Sequence, residues 1–307
     1  MSVPLSSILI TLAAIFVAAV PAFLALFVLI VWSRFRKRSL ERRGVRHPLA
    51  NGLLRPAGHS TWEQYKKLDA QFDELMASTL MGSIAGVYSI PTMAYFQGKR
   101  IGAESIVVLV VMLAFFVGTI FWKMRSVLER RASYRLGWEG ELAAAEELNR
   151  VMLNGHRVYH DVPGDGFNID HVVVSTSGVF AFETKTRTKR KNDDGDDFKV
   201  IYDGKTLNFS GYRTEEPLLQ AKRQARWLRS FLTRSTGEEV YVRPAVIVPG
   251  WWVERPVNQK ADVSVLNAKQ AVSLVRHGGR LDEAGVQRVC FQLEQLCRGV
   301  ELSKPLN

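Results

Sequence analysis

The chain has 307 residues and carries 41 Lys and Arg against 30 Asp and Glu, a formal net charge of +11, and its length sets one or two domains. With 47% hydrophobic and 23% charged residues it lies outside the disordered class, and 23 Gly with 11 Pro exclude a collagen-like or proline-rich chain. Two cysteines, Cys290 and Cys297, exclude a disulfide framework. Seven apart in a helical pattern, they are separated by about 10 Å of rise, so both are read as thiols. A mean hydropathy of −0.02 is high for a soluble chain, and the apolar residues are concentrated in runs.

The first run, Ile8 to Trp32, is 25 uncharged residues, about 37 Å as a helix and enough to cross a hydrocarbon core. No basic residue precedes it and it is too long for a signal core, so a retained span is favoured over a cleaved signal. Pro21 predicts a kink, tolerated inside a membrane. A second run covers Leu75 to Phe96 and a third Ser105 to Trp122, with only Gln97 to Glu104 between them, which predicts a membrane hairpin. Gly82 and Gly86, in G-x-x-x-G spacing, predict close helix approach.

These runs divide the chain into a first transmembrane helix (1–33), a basic cytoplasmic segment (34–74), a transmembrane hairpin (75–122) and a basic linker (123–133). Ser33 to Glu74 holds ten Lys or Arg, and the hairpin loop only Lys99 and Arg100. The positive-inside rule then puts the N-terminus outside and everything after Trp122 in the cytoplasm. Residues 1–122 carry twelve basic and six acidic side chains, leaving +5 for the remainder, so much of the net charge is topological.

From Tyr134 the texture is that of a soluble α/β domain (134–266) followed by C-terminal helices (267–307). Glu139 to Asn154 reads as a helix stopped at Gly155. Strands are expected at Arg157–Val162, Asn168–Ser175 and Val179–Lys185, then at Phe198–Tyr202 and Thr206–Phe209 around an Asp203–Gly204 hairpin turn. Pro217 to Arg234 is a basic amphipathic helix, Ala245–Val248 and Asp262–Leu266 are strands, and Ala268–Val275 and Asp282–Cys297 are helices.

The segment from Asn168 to Lys185 places polar residues at both ends of two buried apolar strands. If Thr176 and Ser177 form the turn, Asp170 lies opposite Glu183; if Ser177 and Gly178 do, it faces Lys185. Either register puts Asp170, Glu183 and Lys185 on one face of the sheet, with paired Cβ atoms about 5 Å apart. Two carboxylates so placed can share a hard cation such as Mg2+ or Mn2+, and the ammonium can assist attack on a phosphodiester. A D/E-x-K triplet by itself says little, since the chain has three, at Glu183, Asp197 and Asp203. Only the first closes a buried strand with an Asp on its partner.

The residues Gly137 to Glu141, Asn168 to Val174, Gly178 to Lys185 and the later Gln220 together resemble the nuclease-related domain, a branch of the PD-(D/E)xK restriction-endonuclease-like superfamily. The resemblance covers about Tyr134 to Leu266. It implies an α/β fold with a mixed sheet flanked by helices, here preceded by three transmembrane helices. It implies Asp170 and Glu183 as metal ligands, Lys185 as the catalytic lysine, Glu141 as the helical acidic residue and Gln220 as an accessory position. The activity implied is hydrolysis of DNA or RNA with Mg2+ or Mn2+ at the cytoplasmic membrane face. The alternative is a non-catalytic membrane module that binds nucleic acid or protein.

Other features carry less. The acidic run Asn192 to Asp197 lacks the register of a calcium loop and reads as a solvated loop. His160 beside Asp161, and His171 beside Asp170, read as structural, with His171 on the opposite sheet face from Asp170. Lys222, Arg223 and Arg226, with Arg229 and Arg234, make the helix after Pro217 a candidate nucleic-acid or lipid surface. Trp251 and Trp252 could stack bases, but packing is their commoner role.

Overall fold

The computed structural model describes residues 53–98, 103–189, 191–192, 195–196, 198–255, 261–275 and 280–298. The expected first span, Ile8 to Trp32, lies outside them. The chain divides into two compact units, one including Lys66–Arg131 and the other comprising Pro48–Tyr65 with Ala132–Asn307.

The first unit takes its two helical segments from α1 (His59–Phe96), from Lys66 on, and from α2 (Ala103–Asn149), as far as Arg131. Their approach is as close as the glycine spacing predicts: a Cβ on Gly82 would overlap the Phe116 ring, and one on Gly86 would come within 2.9 Å of Leu113. Arg131 bridges back to Asp69 at 2.6 Å. Apolar side chains such as Leu80, Tyr88, Val111, Phe115 and Trp122 are exposed. Among the described residues, one helix, Ile106–Asn154, is long and apolar enough to cross a membrane, against the two spans expected there, Leu75 to Phe96 and Ser105 to Trp122. The run Leu75 to Phe96 is helical but diluted by hydroxyls, with Thr79 donating to Leu75 O at 2.6 Å and Thr92 to Tyr88 O at 2.6 Å.

The second unit is built on a five-stranded mixed sheet in the order β1-β2-β3-β9-β11. The strands are β1 (Arg157–Pro163), β2 (Asn168–Ser175), β3 (Gly178–Thr184), β9 (Val242–Ile247) and β11 (Ser264–Leu266). The first three pair antiparallel, while β3–β9 and β9–β11 are parallel. One face packs on α3 (Glu216–Thr236) and α5 (Glu283–Cys297), through Val172, Val174, Val179 and Ala181 against Ala225, Leu228, Leu232 and Leu293. The other packs Val173, Phe180 and Phe182 on Ala144 and Leu148 of α2 and on Ala271 of α4 (Ala268–Leu274). The helix expected from Glu139 is therefore the tail of α2, ended by a 3₁₀ turn, Arg150–Asn154, and by Gly155 at φ +80°.

A second mixed sheet, β10-β6-β7-β8, joins β6 (Lys199–Tyr202), β7 (Leu207–Phe209), β8 (Tyr212–Thr214) and β10 (Trp252–Glu254). Its first hairpin turns at Asp203, whose Oδ1 accepts from Thr206 N at 2.6 Å, as the Asp-Gly pair predicts. The acidic run, expected as a loop, instead overlaps a short antiparallel pair, β4 (Lys191–Asn192) and β5 (Gly195–Asp196). Cys290 and Cys297 are buried free thiols.

Candidate active site

The β2–β3 register settles which residues meet. His171 pairs with Phe182 and Ser175 with Gly178, so Thr176 and Ser177 form the turn, and the next pair along sets Asp170 opposite Glu183. Glu183 shares its side of β3 with Val179 and Ala181, the side that α3 covers. Strand alternation is broken nearby, at Asp161, whose φ is +48°. Tyr159 and Val162, three residues apart, consequently enter the same core layer.

Glu183 is 5% exposed. Its Oε2 accepts from Gln220 Nε2 at 2.9 Å and from Gln224 Nε2 at 2.7 Å, two amides one turn apart on α3. Gln224 also donates to Asn168 O at 3.0 Å, tying the helix to the start of β2. Asp170, partly buried, accepts from Thr184 N at 2.6 Å through Oδ2. Glu141, on α2, is 7% exposed and accepts from Thr61 Oγ1 at 2.6 Å. Lys185 follows directly on β3, partly buried, with its backbone N–H held by Ile247 O at 2.8 Å.

These acids share one electrostatic neighbourhood. Burial pushes the Glu183 carboxyl up to about 7, opposed by the Gln224 hydrogen bond and the Lys185 ammonium and reinforced by Glu141. Burial likewise raises Glu141 to about 7, with the Thr61 hydroxyl opposing and Asp161 adding. Asp170 is held well above the carboxylate range by burial, then by Glu183 and Glu141. Glu141, Asp170, Glu183, Lys185 and Gln220 are thus brought together.

The fit to a divalent cation lies in the donors. Among the described residues no three His, Cys, Asp or Glu side chains are grouped so as to hold a metal ion. Mg2+ needs no such group, because it is held by one or two carboxylates and keeps several waters. Oxygen is the only donor type the acids offer, and Gln224 Oε1 beside them is a buried acceptor without a partner. The donor set fits a hard cation held sparsely.

Of the basic candidates on α3, Lys222 is tied to Asp262 at 2.8 Å and Arg223 pairs loosely with Glu216 at 3.9 Å, and Arg223 and Arg226 are exposed. Arg223 also helps stabilise the Glu183 carboxylate. Trp251 packs edge-on against Phe209 and is buried, while Trp252 is exposed. His160 and His171 face each other, Nδ1 to Nδ1 at 2.9 Å, and His160 Nε2 meets Asn149 Oδ1 at 3.0 Å on the α2 side of the sheet.

Residues 136–249 match the family model of the nuclease-related domain. The stretch covers Glu141, Asp161, Asp170, Glu183, Lys185 and both glutamines. No curated protein and no solved structure matches the chain. The mixed sheet and its covering helices suit the nuclease-related domain. Sequence reasoning misses two residues of the site: Gln224, whose signal is a glutamine one helical turn after Gln220 in the buried stripe of α3, and Thr61, which no local pattern marks.

Proposed function

We propose that the nuclease-related domain is a metal-dependent phosphodiesterase acting on DNA or RNA, tethered to the membrane by the apolar helical segment and facing the cytoplasm. The observation that carries this reading is the β2–β3 register that sets Asp170 opposite Glu183, two residues before Lys185 and in the electrostatic field of Glu141, within the matched stretch. Asp170 and Glu183, with Glu141 in support, would hold Mg2+ or Mn2+. When bound, the cation supplies an acidified water and neutralises phosphate charge.

The chain's own groups do the rest. Gln220 and Gln224 fix Glu183 through Oε2, so its remaining lone pairs face the site in one orientation. Lys185, carried at the end of a buried strand, brings an ammonium to the developing negative charge and orients the attacking oxygen. Arg223 and Arg226 supply positive charge along α3 for a phosphate backbone, with Lys222 engaged by Asp262. The positive-inside bias of the basic segments supports the cytoplasmic placement.

Binding of Mn2+ to the full-length protein, followed by electron paramagnetic resonance, tests the assignment. One site lost in Glu183→Ala and in Asp170→Asn is expected. Binding unchanged in both variants would reject the cation site. Nucleic-acid binding that weakens with salt, without turnover and tolerant of Lys185→Ala, would establish the non-catalytic module instead.

A further inference from the structure

The stretch Leu53 to Tyr65, whose last seven residues open α1, lies outside the family match at 136–249, yet it belongs to the same compact unit as Ala132–Asn307. Its polar contacts converge on the acidic site. Thr61 Oγ1 donates to Glu141 Oε1 at 2.6 Å. Arg55 Nη1 pairs with Asp161 Oδ2 at 2.9 Å. Ser60 reaches the same carboxylate twice, from its N–H to Oδ1 at 3.3 Å and from its hydroxyl to Oδ2 at 2.8 Å. Asn168, two residues before Asp170, donates to Ser60 Oγ at 2.7 Å.

The strap is closely seated. Gly58 has φ +68°, and a Cβ there would come 2.6 Å from the Trp138 ring and 3.6 Å from Glu141 Oε2, so glycine is required on both counts. The Trp62 ring lies 4.5 Å from that of Trp138. Asp161, the carboxylate the strap grips, is 2% exposed and sits in the left-handed region, which costs an L-residue about 1–2 kcal/mol. A buried carboxylate in such a conformation needs partners, and among the described residues its side-chain partners are Arg55 and Ser60. Three hydrogen bonds thus hold the Asp161 carboxylate in place near Glu141 and Asp170.

We propose that Arg55, Ser60 and Thr61 are positioning residues of the acidic site, which is completed by this strap and is not contained in the matched domain alone. The proposal rests on the reading of Glu141, Asp170 and Glu183 as the cation-holding cluster. Thr61 orients the Glu141 carboxylate, and Arg55 with Ser60 immobilises Asp161 and, through Asn168, the entry to β2.

The test uses full-length protein in detergent, with Mn2+ affinity and thermal melting measured for wild type, Thr61→Val, Thr61→Ser and Arg55→Met. Loss of a group that orients a ligand weakens metal binding about 10- to 100-fold. Thr61→Val and Arg55→Met are expected to show that loss and a smaller melting-temperature rise on adding Mn2+. Thr61→Ser, which keeps the hydroxyl, is expected to return both readings to within about threefold of wild type. If Thr61→Val does not fold, Thr61→Ala removes the hydroxyl without adding bulk and is read the same way. Strap variants that melt lower without metal but bind Mn2+ as wild type does would make the strap a packing element only and overturn the proposal. The same result alongside lost binding in Glu183→Ala would overturn the proposal and leave the cation site standing. Wild-type protein that binds no Mn2+ would overturn both.

Discussion

Replacing Glu183 by Gln should stabilise the metal-free protein while abolishing the proposed nucleic-acid cleavage. Glu183 is buried among acids, and its carboxyl is carried from 4.5 to about 7. At 1.36 kcal/mol per pH unit, ionising it at pH 8 costs the folded state about 3 kcal/mol. The folded pKa is raised, so the cost is complete above pH 7, where the group is ionised in both states. It fades as the pH falls through 7 toward 4.5, because the folded state takes up its proton first. The amide introduced by Glu183→Gln keeps an oxygen to accept from Gln220 and Gln224, so the hydrogen bonds survive. Glu141 shares the field, and the expected gain is therefore about 2–3 kcal/mol at pH 8 in EDTA, shrinking toward zero at pH 4.5. Chemical denaturation of the full-length protein, followed by tryptophan fluorescence, measures it. A variant no more stable than wild type at pH 8, or a gap unchanged at pH 4.5, would refute the reasoning.

Other substitutions probe the surrounding structure. Burial holds His160 at about 4 and His171 well below the usual imidazole range, so both are neutral when folded. Their contribution is complete above pH 6.5 and is lost as the pH falls toward 4, so His160→Gln should remove up to about 3 kcal/mol of that acid loss in pH-dependent denaturation. Gly140→Ala would normally help a helix by about 1 kcal/mol. Here the new methyl overlaps the hydroxyl of Thr186, next to Lys185, and a net loss of about 1–2 kcal/mol is expected on melting. Gln224→Ala removes a fully buried side chain that donates to Glu183 and to the Asn168 carbonyl, and should destabilise the protein by about 2–3 kcal/mol while weakening Mn2+ binding.

Much of this site is legible in the sequence because its scaffold obeys local rules. The apolar runs Val172 to Val174 and Val179 to Phe182 mark two buried strands, and the acids and lysine at their ends follow by parity. The register is open from sequence, since two turn positions suit the same residues, and the backbone pairing is needed to choose between them. Short strands such as Tyr212–Thr214 and Trp252–Glu254 carry no periodic signal at three residues each. The α1 run reads as a span by length, but its hydroxyls and glycines lower its hydropathy. Thr61 and Arg55 are invisible for a different reason: their partners are 80 and 106 residues away, and no local pattern encodes a contact at that separation.

The central claim is that Asp170, Glu183 and Lys185 form one hydrolytic site, and the most direct measurement is cleavage of DNA and RNA by the full-length protein with Mg2+ or Mn2+. The account predicts metal-dependent cleavage that falls at least about 100-fold in Lys185→Ala and in Glu183→Ala while both variants remain folded. Cleavage that persists in both variants, or in excess EDTA, would contradict it.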